Sequence, residues 1–320
     1  VMTIEPLESS SASPWARILG TAAAVFLGLV FLVAAWGKAL DPVSFVEQIR
    51  TEGLDVFRMA EATAFFALGL EIALGLALVT GLRRWWVLVP TAVLVAFFLF
   101  LTGRAYWRFE HGLIDETEAC GCFGNLLNRT PKEAFWQDLW LLVVPLGLSL
   151  VGRGDSGSFP KHRLAIVALV TAAVLVFAWK APDLPLDDLA TRLKPGVRVS
   201  EICAGSDENP EQLCLDTLVS DLNAGRHWVV LSDLDEPSFL ESVPQLNASS
   251  ASQSEVGLWV LTAATAEEVS TFQWTQAPAF VVQETPYAML RPLHRRLPRS
   301  FLVEEGEVVR TVSDLPPADF

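Results

Sequence analysis

The sequence predicts an α-helical membrane bundle of five transmembrane helices, followed by a polar α/β domain on the outer side of the membrane. Three observations carry this. The 320 residues are 52% hydrophobic with a mean hydropathy of +0.39, more apolar than a soluble domain requires. Almost all long uncharged runs fall before residue 180, and a polar, acidic remainder follows. Lys and Arg are densest in two short loops between apolar runs.

The runs are Ile18 to Trp36, Ala62 to Leu82 with Glu71 inside it, Trp85 to Thr102, Leu139 to Val151, and Leu164 to Trp179. A spanning helix needs roughly 20 mostly apolar residues. The first three runs meet that. The fourth is short, but Ala134 to Trp136 extend it past Asp138. The alternative for the last two is buried helices of a soluble core, which three strong membrane neighbours argue against. The first run is too long for a secretory signal, and "AAWGKALDP" reads as a helix end rather than a cleavage site.

Orientation follows from basic residues in short loops. "GLRRWW" carries Arg83 and Arg84, and "GRGDSGSFPKHR" carries Arg153, Lys161 and Arg163. Both loops are predicted cytoplasmic, and with them the N-terminus. The loop after the third run and everything past residue 180 then lie outside, in a periplasmic setting. All four cysteines, Cys120, Cys122, Cys203 and Cys214, fall on the side where disulfides persist. The net charge of -14 becomes mostly an extracytoplasmic property and excludes nucleic acid as a natural partner. The lipid bilayer is the first partner.

Cys120 and Cys122 stand one residue apart in "ACGCFGN". A disulfide between them closes a very small ring, which favours a labile, oxidising bond over a structural one. Gly121 and Gly124 supply backbone freedom for it. Two other readings stay open: pairing of each with Cys203 or Cys214, or a metal site with His111, for which two thiols and one imidazole are a poor ligand set. Cys203 and Cys214 in "EICAGSDENPEQLC" flank an acidic loop. They form either a structural disulfide worth roughly 2–3 kcal/mol or a relay pair for electrons. Glu71 lies near the middle of the second run, where an ionisable group costs at least a few kcal/mol and marks a site or an interhelical hydrogen bond. Lys38, at the outer end of the first run, reads as a snorkelling side chain.

These residues resemble a known family. "GKALDPVSF" resembles the K-x-x-D-P-x-x-F signature closing the first helix of DoxX-like membrane proteins, and Glu71 with "GLALVTGLRR" resembles their second helix. "CGCFGN", with a helix starting near "FWQD", is similar to the methylamine-utilisation MauE branch. The resemblance covers roughly residues 15 to 180. It implies a four-helix core from the first four runs and a role in disulfide formation during maturation of a cysteine-rich client, in that family the methylamine dehydrogenase light subunit. The client does not carry over with the motif.

After the Pro- and Asp-rich stretch from Lys180, "HWVVLS", "VGLWVLTA" and "AFVVQET" read as strands. The segments from Pro237, "TAEEVSTFQW" and "YAMLRPLHRR" read as helices, and "RSFLVEEGEVVRTV" as a hairpin turning at Glu305-Gly306. This order resembles a thioredoxin-like domain, with Pro298 as the cis-proline before the final hairpin and Pro244 as the proline of the active-site helix. Counting back from Pro244, the C-x-x-C slot reads "EPSF", with Glu236 and Phe239 where the thiols would stand. Such a site cannot run ordinary dithiol exchange. The expected organisation is a membrane domain over 1–181, a linker and cysteine-containing loop over 182–226, and a thioredoxin-like domain lacking C-x-x-C over 227–320.

Two functions from different classes fit. In the first, client thiols outside the membrane reduce Cys120–Cys122, directly or through Cys203–Cys214, and electrons leave through the bundle near Glu71, with a quinone as candidate acceptor. In the second, the protein is a non-catalytic scaffold whose degenerate thioredoxin-like domain binds a partner. Quinone-linked sulfur oxidation, by analogy with other DoxX-like proteins, is a third reading that no residue here specifically supports.

Overall fold

Proline opens four of the described helices, at Pro14, Pro42, Pro131 and Pro237, and each uses the first-turn position where a missing N–H costs nothing. The computed structural model describes residues 14–54, 59–113, 129–151, 161–204, 213–252 and 256–317; Cys120 and Cys122 lie outside the described residues. Helix α1 (Pro14–Leu40) ends at Asp41, which caps α2 (Pro42–Thr51) by accepting the Ser44 N–H at 3.1 Å. Helix α3 (Ala60–Val79) stops at Gly81, whose φ of +78° few other residues tolerate. Helix α4 (Trp85–Glu110) follows. A capping box of Thr130 and Glu133 starts α5 (Pro131–Asp138), which continues through a π turn (Leu139–Val143) into α6 (Val144–Leu150). Helix α7 (Lys161–Lys180) closes the bundle.

Four of these, α1, α3, α4 and α7, are long and apolar enough to cross a membrane. The fourth apolar run of the sequence becomes α5, the π turn and α6, three shorter pieces in one continuous path. Helix α1 packs against α3 and α6, and α4 against α5. Glycine makes the α1–α3 approach possible: a Cβ on Gly28 would collide with the Gly75 carbonyl. Helix α7 leans on α3 and α1 and buries only Val167 and Ala178. Phe26, Leu29 and Val33 face outward from α1, as lipid-facing residues should. Exposed tryptophans mark the two ends, Trp15 and Trp85 at one, Trp36, Trp107 and Trp179 at the other. The Trp15 end also collects the basic residues. Arg83 donates to the Arg17 and Val151 carbonyls, and Arg163 to that of Thr80.

Past α7 the chain forms α8 (Asp187–Ala190), the short strands β1 (Cys203–Ala204) and β2 (Leu213–Cys214), and α9 (Leu215–Leu218). The main sheet then alternates with helices: β3 (Arg226–Leu231), α10 (Pro237–Ser252), β4 (Val256–Thr262), α11 (Ala266–Gln276), β5 (Val281–Glu284), α12 (Tyr287–Leu290), β6 (Arg299–Glu304) and β7 (Glu307–Val312). The order is the one the sequence leads us to expect, with the hairpin turning at Glu305 and Gly306. Both turn residues are at positive φ, and the Leu297–Pro298 bond is cis. The sheet runs β5-β4-β3-β6-β7, with β3, β4 and β5 parallel and β6 and β7 antiparallel additions. Side chains of β3 alternate between faces. Trp228 and Val230 join Phe239, Val243 and Phe272 from the two long helices. Val229 and Leu231 join Leu193, Ile202, Leu215, Met289 and Leu293 on the other face.

Two arginines fasten the segment after α7 to the sheet. Arg299, 1% exposed, donates to Asp188 (3.0 Å), Thr191 Oγ1 (2.6 Å) and the Leu193 carbonyl (3.2 Å). Arg295 donates to the carbonyls of Ala181 (2.6 Å) and Leu184 (3.2 Å), at the end of α7. Asp41, at the same end of the bundle, faces Arg291 and Arg295, and burial pushes its carboxyl up despite them.

His294 sits among these cations. Burial first, then Arg291 and Arg299, hold its imidazole down to about 4 from an ordinary 6.5. Between those values the unfolded chain binds the extra proton. Stability is therefore complete above pH 6.5 and falls as the pH drops toward 4, by on the order of 2–3 kcal/mol. Thermal unfolding of the protein in micelles at pH 7.5 and 4.5 should show this drop, and His294→Gln should shrink it. An equal drop in the variant would refute the assignment.

Candidate functional site

An ionised side chain inside an apolar bundle must find its partner within the bundle. Glu71, near the middle of α3, meets Lys38 from the last turn of α1, with Nζ 2.6 Å from Oε2. Lys38 is 3% exposed and Glu71 1% exposed. The snorkelling expected of Lys38 therefore does not occur. Its ammonium is drawn inward by the carboxylate and covered by the Phe45 and Phe98 rings, whose centroids lie 5.2 and 5.1 Å from Nζ. Glu71 Oε1 accepts no hydrogen bond among the described residues.

A second buried pair lies close by in sequence to the π turn. Arg129 donates to Asp138 Oδ1 at 2.8 Å, with 7% and 2% of the two side chains exposed. The charge of Lys38 also reaches Asp138. At the rim, Arg104 pairs with Glu52 and donates to its carbonyl at 2.9 Å. The Asp41 end of the bundle thus holds three ion pairs, two of them buried. Reading the sequence singles out Glu71 alone. Asp138, a lone charge between two apolar stretches, carried the same signal.

Cys203 and Cys214 are paired with each other in a disulfide across β1 and β2, where they stand directly opposite. This removes the reading in which Cys120 or Cys122 bonds to either of them. A cavity of about 500 Å³ opens beside the disulfide, with Met289 and Leu293 as apolar lining, Arg192 and Glu201 as charged lining, and Cys203 in its wall. Pro292 and Leu293, which also line it, immediately precede the Arg295 anchor on α7.

The three residues of the expected degenerate site divide differently. Phe239 is fully buried and stacks on Phe272 at a centroid distance of 5.8 Å, so it is core. Glu236 precedes α10, half-buried, and accepts the Ser238 hydroxyl at 3.3 Å. Pro298 is buried just before β6. Phe239 packs on one face of the sheet, while Ile202 and Leu215, the neighbours of the two cysteines, pack on the other. The structure does not bring the disulfide and that slot together. Among the described residues no group of three or more His, Cys, Asp or Glu is placed to hold a metal ion, and nothing fixes a position for a quinone.

Residues 16–152 match the family described as methylamine utilisation protein MauE. That stretch of the chain is similar to the MauE family. No curated protein matches the chain. The matched stretch contains α1 through α6, and with them the Lys38–Glu71 and Arg129–Asp138 pairs. It also contains the C-G-C-F-G stretch. The chain is therefore similar to a methylamine-utilisation family over its first half, carries four helices long and apolar enough to cross a membrane among the described residues, and has an α/β sheet region beyond the matched part.

Removing one member of a buried pair strands the other charge, which typically costs 3–5 kcal/mol, whereas replacing both by apolar or neutral groups is often tolerated. Lys38→Met should lower the thermal midpoint of the protein in micelles, and Glu71→Gln should do the same less severely. The double variant should be more stable than Lys38→Met alone. Additive losses would show that the two side chains do not stabilise one another.

Proposed function

We propose that this protein is a membrane-anchored thiol-disulfide exchange factor that assists disulfide formation or maturation of a cysteine-containing client outside the cytoplasm. The observation that carries the reading is the Cys203–Cys214 disulfide in the wall of an open cavity, on a chain whose membrane segment is MauE-like. A disulfide meant only to close a loop has no need of a cavity beside it. In this reading Cys120 and Cys122 are the second redox pair, at the outer mouth of the bundle, and accept electrons from Cys203 and Cys214. Glu71 and Lys38 lie inside the bundle below that mouth.

The same reading takes α5, the π turn and α6 as the fourth of five spans, and residues 1–181, 182–226 and 227–320 as membrane domain, linker and thioredoxin-like domain. The clustering of Arg17, Arg83 and Arg163 at the bundle end opposite the sheet region supports a cytoplasmic N-terminus and a periplasmic sheet. Cysteine-specific labelling of intact cells tests this orientation. A cysteine introduced at Ser313 should react with a membrane-impermeant maleimide, and one introduced at Arg84 should react only after lysis. The opposite pattern would reverse the topology.

A scaffold reading has one observation in its favour. At the thioredoxin-like slot stand the core residue Phe239 and the carboxylate of Glu236, and no thiol. Stoichiometric oxidation separates the two. Purified oxidised protein, given a reduced two-cysteine peptide without added oxidant, should oxidise about two equivalents. With Cys120→Ser and Cys122→Ser together it should oxidise about one, and with Cys203→Ser and Cys214→Ser together almost none. If the unmodified protein oxidises no peptide, the scaffold reading replaces the exchange reading.

A further inference from the structure

The two sulfurs of Cys203–Cys214 stand in different surroundings, and the difference has a chemical consequence. Cys203 lines the cavity and Cys214 does not belong to its lining. The carbonyl oxygen of Ser200 lies 3.4 Å from Cys203 Sγ, so negative charge on that sulfur is opposed. Cys214 instead precedes α9 and forms a reciprocal cap with Thr217. Thr217 Oγ1 accepts the Cys214 N–H at 3.3 Å and donates to the Cys214 carbonyl at 2.7 Å. The Ser200 carbonyl beside Cys203 thus leaves Cys214 the better carrier of negative charge. In thiol-disulfide exchange the sulfur that leaves faster is the one whose thiolate is more stable, and the sulfur attacked must be reachable.

Resting on the exchange reading above, we infer that a client thiol attacks Cys203, that Cys214 is the leaving sulfur, and that the cavity seats an extended peptide segment with an apolar residue beside its cysteine. The client thiolate forms a bond to Cys203 Sγ while the Cys203–Cys214 bond breaks. The electron pair departs on Cys214, which takes a proton from water. A second client thiolate then attacks the client sulfur of the mixed disulfide and releases Cys203 as a thiolate, which is protonated in turn. The client loses two electrons and two protons, and the two cysteines gain them. Half-buried Val197 offers the apolar neighbour a contact, backed by the buried Met289 and Leu293. Arg192 and Glu201 offer the peptide backbone a donor and an acceptor at the rim.

The test uses the full chain in micelles, carrying Cys120→Ser and Cys122→Ser so that a single disulfide remains. It is treated with a short peptide containing one Leu-Cys pair, quenched with iodoacetamide, and mapped by mass spectrometry. Peptide on Cys203 with the alkyl group on Cys214 should outnumber the reverse by about tenfold or more. Ser200→Trp, which narrows the cavity, should cut the ratio of peptide to dithiothreitol reaction rates about tenfold. Adducts shared evenly, or mainly on Cys214, would overturn the assignment of the attacked sulfur. An unchanged rate ratio in Ser200→Trp would overturn the peptide seat. No adduct on either cysteine, with dithiothreitol still reducing the bond, would overturn exchange with peptide thiols itself.

Discussion

A charge carried into an apolar helix bundle costs several kcal/mol unless an opposite charge meets it, and the Lys38–Glu71 contact is how this bundle meets that requirement. Its geometry constrains much else. Lys38 reaches Glu71 only because α1 and α3 run close together, and they do so because Gly28 and Gly75 place backbone against backbone. The ammonium stays dry only because Phe45 from α2 and Phe98 from α4 cover it. One ion pair thereby fixes the relation of four helices at the end of the bundle next to the sheet region. The corner at Asp41, three residues beyond Lys38 in the chain, inherits that position and presents its carboxylate to Arg291 and Arg295.

The same logic carries the order of the bundle into the sheet region. Arg295 holds the carbonyls of Ala181 and Leu184 just past α7, and Arg299 gathers Asp188, Thr191 and Leu193 around one buried guanidinium. Guanidinium suits this role because its several fixed donors satisfy several carbonyl oxygens at once. The wall of the disulfide cavity is drawn from the same stretches, with Arg192 on one side and Pro292 and Leu293 on the other. The cavity is held by the anchors rather than by the sheet alone.

Much of this was legible in the sequence, for stateable reasons. Uninterrupted apolar runs locate the long helices because hydrocarbon demands them. The strand–helix order of the outer part follows from short β-branched runs separated by turn and capping residues, and Glu305-Gly306 marked its hairpin. What was not legible depended on distant residues meeting. A lysine at a helix end fits snorkelling and burial equally well until Phe98, from another helix, is placed over it. The π turn at Leu139–Val143 has no periodicity signal, so Asp138 read as an interruption in a span rather than as the partner of Arg129. The Cys203–Cys214 bond was foreseen as a loop closure. The cavity beside it was not, because its lining comes from two stretches of the chain, 192–203 and 289–293, far apart in sequence.

The placement of the disulfide also explains how the sheet can do without thiols at the start of α10. Phe239 at that position is worth more to the core than a cysteine would be: it is fully buried and stacks on Phe272, with Phe280 edge-on at 6.5 Å. Losing such a ring from a packed core costs about 3–5 kcal/mol. A thiol there would sit on the α10 side of the sheet, away from the face that adjoins the cysteine loop and the α7 anchor. Cys203 and Cys214, by contrast, lie on a two-stranded appendage whose neighbours are the linker and the Arg295 anchor. In the proposed exchange reading, a centre serving a membrane-embedded partner pair stands on the side tethered to the bundle. The fold puts its one described disulfide there and commits the α10 face to packing.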